Sequence, residues 1–478
     1  MSPLIQYRTI SQMRATAGNH AQAPRHSSHR AAPHLGSWSS VRETTCANPG
    51  APSIGARAAG WKARRELVER WRPCVVQRVR SGGGPGPRAV RALRHLKVGR
   101  RVVYPMHTQM QLLVDAAVAG AKRVFDLEWL AGDPLFTHLA GGAVPSIDIL
   151  YDDLRRFGPQ ELEDLEQLVA EQGLKPVRER RWKDLTVDID TTVTPLFGEQ
   201  EGAVPGPNPR YHGRPSYHPI LARIAETDTI LGARLRPGDT NLGEADVEDV
   251  AQWLGRLREA APKAIVTVRI DAGGDCAALM KAVDENLAYF LIKAKLTPNL
   301  VSAVLWKTTA WKTVDRDAFD RPTRQVAEIP FEREDWPKGK YRVFAVRTNE
   351  RDSGKQVQLW SELDFSVHVY VTNDRERDLD ELARLYDDRA GIEPLIGELK
   401  NAFGIGKIST SAVDANEAAL LIKLLAYNLM RRWAVATLAN AARWRASWIR
   451  RACVCIPARL LRSGGRWELR LAPRPLLN

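Results

Sequence analysis

The sequence predicts an α/β fold: a mixed-sheet domain carrying a β-rich insertion, preceded by a small helical region and a basic tail. Three observations carry this expectation. At Leu185 the hydrophobic period changes from helical to alternating. The strands that follow carry aspartates among β-branched residues, at Asp188, Asp190 and Asp271. Far downstream, Tyr386, Arg389, Glu393 and Lys400 share one helical stripe roughly 60° wide at about 100° per residue. Glu398 falls roughly 140° from Glu393, on another face.

The chain has 478 residues, enough for two or three domains. Its net charge of +14 and pI near 9.7 point to a polyanionic partner, nucleic acid before a membrane surface. No apolar run approaches the ~20 residues that span a bilayer, and no secretory leader is visible. Five scattered cysteines, with Cys453 and Cys455 one residue apart, read as reduced thiols rather than as a zinc site.

Residues 1–99 read as a basic, low-complexity, disordered tail. Glu43, Glu66 and Glu69 are its only acids, and the run from Ser81 to Pro87 is a Gly/Pro linker. Residues 100–183 are helical. Met106, Met110, Leu113 and Ala117 lie on one face, and further helices are expected at Arg123–Leu130, Leu135–Leu139, Ser146–Phe157 and Gln160–Glu171, with Ser146 and Pro159 as start signals. With Arg155 and Arg156 on its edge, this region reads either as a DNA-binding unit or as a plain bundle.

Residues 184–294 supply three strands, a helix, a strand, a helix and a strand. The strands are Leu185–Val193, Tyr217–Ile224, Thr229–Leu235, Ala264–Asp271 and Tyr289–Ala294. Residues 295–378 form the β-rich insertion, with strands at Tyr341–Arg347, Gln356–Trp360 and Phe365–Thr372. Residues 379–445 return to the main domain with the Glu393 helix and a long apolar helix at Ala415–Trp433. Residues 446–478 form an extension, its weak alternation at Ile456–Leu471 suggesting a hairpin. Strand order, with acids on the first strand, the fourth strand and the last helix, is that of an RNase H-like domain.

The spacing Tyr386-x2-Arg389-x3-Glu393-x6-Lys400 resembles the YREK signature of the IS4-type DDE transposases. The runs from Asp188 to Val193, Gly198 to Ala203, Arg269 to Asp271 and Ala426 to Leu429 resemble the IS1380 branch, and the similarity extends from Tyr104 to the C-terminus. The resemblance implies an endonuclease and strand-transferase that binds the terminal inverted repeats of an insertion sequence and joins them to target DNA. It implies two Mg2+ ions, with Mn2+ able to substitute, held by Asp190, Asp271 and Glu393 as catalytic acids and metal ligands. Asp188 is the second-choice acid. Tyr386, Arg389 and Lys400 are expected to bind DNA phosphates. Double-stranded DNA and a homodimer in the synaptic complex are the expected partners, and the bacterial cytoplasm, on the nucleoid, is the expected location. The alternative is a decayed or repurposed copy that binds DNA without cutting it; Pro394 beside Glu393 favours that reading, because a helix-interior proline breaks a hydrogen bond. His212 and His218 read as surface histidines. Trp306, Trp311, Trp336 and Trp360 read as packing residues.

Overall fold

In a computed structural model, the chain is described from Leu93 to Leu471, apart from residues 141, 209–210, 350–364, 409, 439, 457 and 464–465. Its frame is one nine-stranded sheet. The interior strand β1 (Asp184–Thr191), third from one edge, is buried from Leu185 to Ile189. Leu185, Val187 and Ile189 line one core, so the intervening residues Thr186 and Asp188 face the other side.

After β1 the chain makes a small three-stranded sheet, β2 (Thr194–Pro195), β3 (Val204–Pro205) and β4 (Pro215–Tyr217). It then returns as β5 (Ile220–Ile224) and β6 (Thr229–Arg234). β5 lies antiparallel beside β1, and β6 forms the sheet edge. On the other side of β1, β7 (Ile265–Ile270) and β8 (Tyr289–Lys293) are parallel to it and to one another.

The stretch read as an insertion extends this same sheet. β9 (Lys312–Arg316), β10 (Pro322–Glu328), β11 (Arg342–Asn349) and β12 (Phe365–Thr372) form an antiparallel series, and β12 pairs with β8. The expected strand Gln356–Trp360 lies outside the described residues.

The helical region begins earlier than the boundary at residue 99. Leu93 is fully buried, Lys97 pairs with Asp153 at 2.8 Å, and His95 meets Glu161 at 2.8 Å. Residues 93–97 therefore belong to the folded body; residues 1–92 lie outside the described residues. α1 (Met106–Ala119), α2 (Leu127–Ala131), α3 (Pro134–Leu139), α4 (Ile147–Leu154) and α5 (Pro159–Arg178) follow. Pro159 opens α5 as expected, but α5 continues past Glu171 to Arg178, because Leu168, Val169, Leu174 and Val177 stay buried. Ser146 occupies the cap position of α4 without a side-chain capping bond. Arg155 and Arg156 pair with Asp152 and Asp153 of the same turn.

α6 (Val247–Ala260) and α7 (Ala277–Glu285) connect the parallel strands, and the short α8 (Pro298–Ser302) follows β8. The apolar helix expected from Ala415 is α11 (Val413–Thr437). Its Asn428 is fully buried: Oδ1 accepts from the Ile230 N–H at 2.8 Å, and Nδ2 donates to the Ile230 and Val169 carbonyls at 2.8 and 3.0 Å. One side chain thus satisfies backbone groups of the edge strand β6 and of α5. Gly173 of α5 makes that approach possible, since a Cβ there would stand 2.2 Å from the Ile230 oxygen. Through these contacts α1, α4, α5 and α11 share one apolar core on one face of the sheet.

The C-terminal extension contains α12 (Ala446–Ile449) and the hairpin β13 (Ala458–Ser463) and β14 (Arg466–Leu471). None of the helices among the described residues is long and apolar enough to cross a membrane.

Candidate active site

The parallel register of β1 and β7 pairs Asp188 with Arg269 and Ile189 with Ile270. The next residues along, Asp190 and Asp271, therefore end two adjacent strands at the same edge of the sheet. Asp190 is half-buried and accepts the Thr191 N–H at 2.8 Å. Asp271 stops β7 and caps a single 3-10 turn, its Oδ1 accepting from the Gly273 N–H at 2.9 Å. The Gly273-Gly274 pair has a packing reason. A Cβ on Gly274 would stand 2.3 Å from Cγ2 of Ile270, so only glycine lets the chain turn this tightly after the acid.

Asp188 is the strand's other carboxylate, and it is fully buried. Arg269 holds both its oxygens, Nε to Oδ1 at 2.6 Å and Nη2 to Oδ2 at 3.0 Å, and Arg223 reaches Oδ2 at 3.2 Å. Arg269 also donates to the Leu385 carbonyl. Two guanidiniums occupy Asp188, so its role is to join β1, β5 and β7 to the helix that faces them. Sequence reasoning gave Arg269 no role. The available signal was an arginine in an otherwise apolar strand, which needs a buried anion.

The facing helix is not continuous. α9 (Leu379–Asp387) gives way to a 3-10 turn at Asp388–Gly391, then α10 (Ile392–Glu398), then a π turn at Leu399–Phe403. The helix breaks one turn ahead of Pro394, which has no N–H to bond the Ala390 carbonyl, as expected of a proline within a helix. Pro394 thereby becomes the third residue of α10, in a first turn where no helical N–H is needed. Gly391 lies against Arg223, whose Nη1 would be 2.9 Å from an added Cβ.

The four signature residues lie along this broken helix and reach the same sheet edge. The Tyr386 hydroxyl donates to the Ile270 carbonyl at 3.2 Å, immediately before Asp271, and its ring lies 4.5 Å from Tyr370. Burial raises its hydroxyl to about 12, and the Asp271 and Asp190 charges add to the rise. Arg389 is buried, with Nη2 3.3 Å from Asp190 Oδ1, while its Nε and Nη2 lack hydrogen-bond acceptors. Lys400 donates to the Val193 carbonyl at 3.0 Å, three residues past Asp190, and burial lowers its ammonium. Tyr386 and Lys400, expected on phosphates, thus hold backbone at the ends of β7 and β1.

Glu393 is exposed and within electrostatic reach of Asp190. Burial pushes the Asp190 carboxyl up to about 6; Arg389 opposes the rise, and the charges of Asp271 and Glu393 add to it. Asp271 and Glu393 thus both act on Asp190, but no three His, Cys, Asp or Glu side chains among the described residues stand close enough to hold a metal as they are. Carboxylates suit a hard divalent cation, which would relieve the charge that Asp271 and Glu393 exert on Asp190 beside the Arg389 guanidinium.

Glu398 is not on a solvated face. It is half-buried, accepts the Ala446 N–H at the start of α12, and burial raises its carboxyl. His218 is half-buried, bonded through Nδ1 to the Thr240 carbonyl at 2.9 Å and lowered by that burial, whereas His212 is exposed. Trp336 packs in the core, Trp311 lies under Arg347 at 4.3 Å, and Trp306 is 80% exposed, contrary to a packing role. Trp360 lies outside the described residues.

Asp190 and Asp271 thus end adjacent strands of a mixed sheet, with Glu393 on the broken helix facing them. The chain belongs to the family transposase DDE domain group 1, which it matches over residues 75–475. It is similar to a solved piggyBac transposase synaptic complex with hairpin DNA, at 11% identity and a TM-score of 0.42, over 80% of this chain and 78% of that one. It is also similar to a Drosophila P element transposase strand transfer complex, at 11% identity and a TM-score of 0.22, over 52% and 50%. Comparison with curated proteins gives no match.

Proposed function

We propose that this DDE transposase binds the terminal inverted repeats of an insertion sequence of the IS1380 type and catalyses Mg2+-dependent DNA cleavage and strand transfer. In this reading β6-β5-β1-β7-β8 is an RNase H-like core, Asp190, Asp271 and Glu393 are the catalytic acids, and two copies of the chain act together on paired DNA ends. The observation that carries it is the parallel register of β1 and β7, which ends Asp190 and Asp271 on adjacent strands, with Glu393 near enough to act on Asp190.

Each side chain has a part. Asp190, Asp271 and Glu393 would hold two Mg2+ ions, whose chemistry is to activate the attacking water or 3′-hydroxyl and to stabilise the leaving 3′-oxygen. Arg389, paired with Asp190 at 3.3 Å, would place a guanidinium charge beside the acid where a phosphate approaches. Tyr386 fixes the Ile270 carbonyl and with it the position of Asp271. Lys400 steadies the chain just beyond Asp190 and brings a second cation to the edge. Asp188, Arg269 and Arg223 keep the strand ends in register.

The first-turn position of Pro394 supports the reading of an active enzyme. Incubating the chain with an inverted-repeat duplex, a target duplex and Mg2+ tests the reading. Cleaved ends joined to the target are expected. DNA bound but left intact with both Mg2+ and Mn2+ would establish the repurposed-copy alternative instead.

A further inference from the structure

We infer that the N-terminal edge of the parallel strands, remote from Asp190, is a second phosphate-contacting surface that holds duplex DNA beyond the reacting end. This rests on the transposase reading and extends it to the path of the DNA.

Between the end of α5 at Arg178 and the start of β1 at Asp184, the chain presents Arg178, Arg180, Arg181 and Lys183, all exposed. The Trp182 indole N–H donates to the Val177 carbonyl at 3.0 Å and pins this segment to the helix. The Lys183 carbonyl accepts the Ile265 N–H at 2.8 Å, which brings exposed Lys263 alongside. Arg258 donates to the Ala264 and Leu287 carbonyls, so its charge lies over the starts of β7 and β8. The cations thus run across three adjacent strands.

These cations differ from the other arginines of the sheet and its helices. Arg223, Arg234, Arg256 and Arg269 are all tied to carboxylates. Of the nearby acids, Asp184 pairs with Arg377 at 3.3 Å, and Glu226 accepts the Thr186 N–H at 3.0 Å but keeps its charge. Glu179, Glu226 and Glu259 stand against six cations. Uncompensated charge held on a fixed loop costs self-repulsion unless a polyanion takes it up. Lys183 precedes Asp190 by seven strand steps, about 23 Å at ~3.3 Å per residue. That span equals about seven base pairs of duplex rise. DNA contacting this edge is therefore a different stretch from the DNA at the acids.

The test replaces Arg178, Arg180, Arg181 and Lys183 together by alanine; all four are surface positions, and a thermal melt matching the parent confirms folding. Binding to a duplex of about 15 base pairs and one of about 40 is measured against salt without divalent cation, so the result is independent of whether cleavage occurs. On the long duplex the variant should bind at least about tenfold more weakly, with a salt slope shallower by about two to four. On the short inverted-repeat end it should bind as the parent does. An unchanged slope on the long duplex, or equal loss on both lengths, would overturn the inference. Loss confined to duplex RNA or anionic vesicles would overturn it too. Failure of the parent to cut inverted-repeat DNA would count against the proposed function alone.

Discussion

Asp190 should govern the pH behaviour of the proposed site. Its carboxyl moves from 3.8 to about 6, by burial and then by the Asp271 and Glu393 charges. The folded chain holds this proton more tightly than the unfolded chain. Protonation therefore favours folding fully below 3.8, and that contribution is lost as pH rises through about 6. A cation at the acids competes with the same proton. Stabilisation by Mn2+ should be full above about pH 7 and fade below about pH 5; melting temperatures with and without Mn2+ across that range check it. A Mn2+ shift of the same size at both ends would remove Asp190 from the ligand set. At Glu393, substitution by glutamine should leave inverted-repeat binding intact and cut Mg2+-dependent cleavage by more than about a hundredfold, beyond the usual loss for a ligand's supporting neighbour. Glu398 has a different role. Because it accepts the Ala446 N–H from a half-buried position, Glu398→Ala should cost about 1–3 kcal/mol in urea denaturation. An unchanged midpoint would show that this contact contributes nothing.

At the scale of elements, the helix that carries Glu393 depends on its breaks. The 3-10 turn at Asp388–Gly391 brings Arg389 to Asp190, and the π turn at Leu399–Phe403 brings Lys400 to Val193. Gly391→Ala would press a methyl against Arg223, which holds Asp188. A loss of about 1–3 kcal/mol is expected, of the size found for overpacking. Pro394→Ala should stay within about 0.5 kcal/mol, because no helical hydrogen bond is restored in the first turn. If Pro394→Ala proved strongly stabilising, the proline would be straining the helix after all.

Across the whole molecule, distant segments are joined by a few buried polar side chains. Arg450 donates to the Val118, Ala402 and Ala117 carbonyls at 2.8, 2.5 and 2.7 Å and lies 4.3 Å from the Phe403 ring. It ties the C-terminal extension to α1 and to the π turn that carries Lys400. Arg450→Ala leaves those carbonyls without this donor and should cost about 2–5 kcal/mol, read as a lowered urea midpoint. A midpoint equal to the parent's would make the extension dispensable to the fold.

Local pattern alone determined much of this protein. Alternation and β-branching mark β1, β7 and β8, since a strand buried on both faces must be apolar along its length. The 3.6-residue period marks α1, α5 and α11, and the Tyr386–Lys400 spacing picks out Glu393 over Glu398. Only the tertiary structure separates the two β1 aspartates by their surroundings. Both lie on the same side of the strand, and the difference is that Arg269 and Arg223 reach one of them. It also decided that residues 93–97 are folded, that Glu398 is partly buried, and that strands from residue 312 onward extend the main sheet. Each of these depends on partners tens to hundreds of residues away. A periodicity records which face is apolar; it carries no record of which distant side chain meets that face.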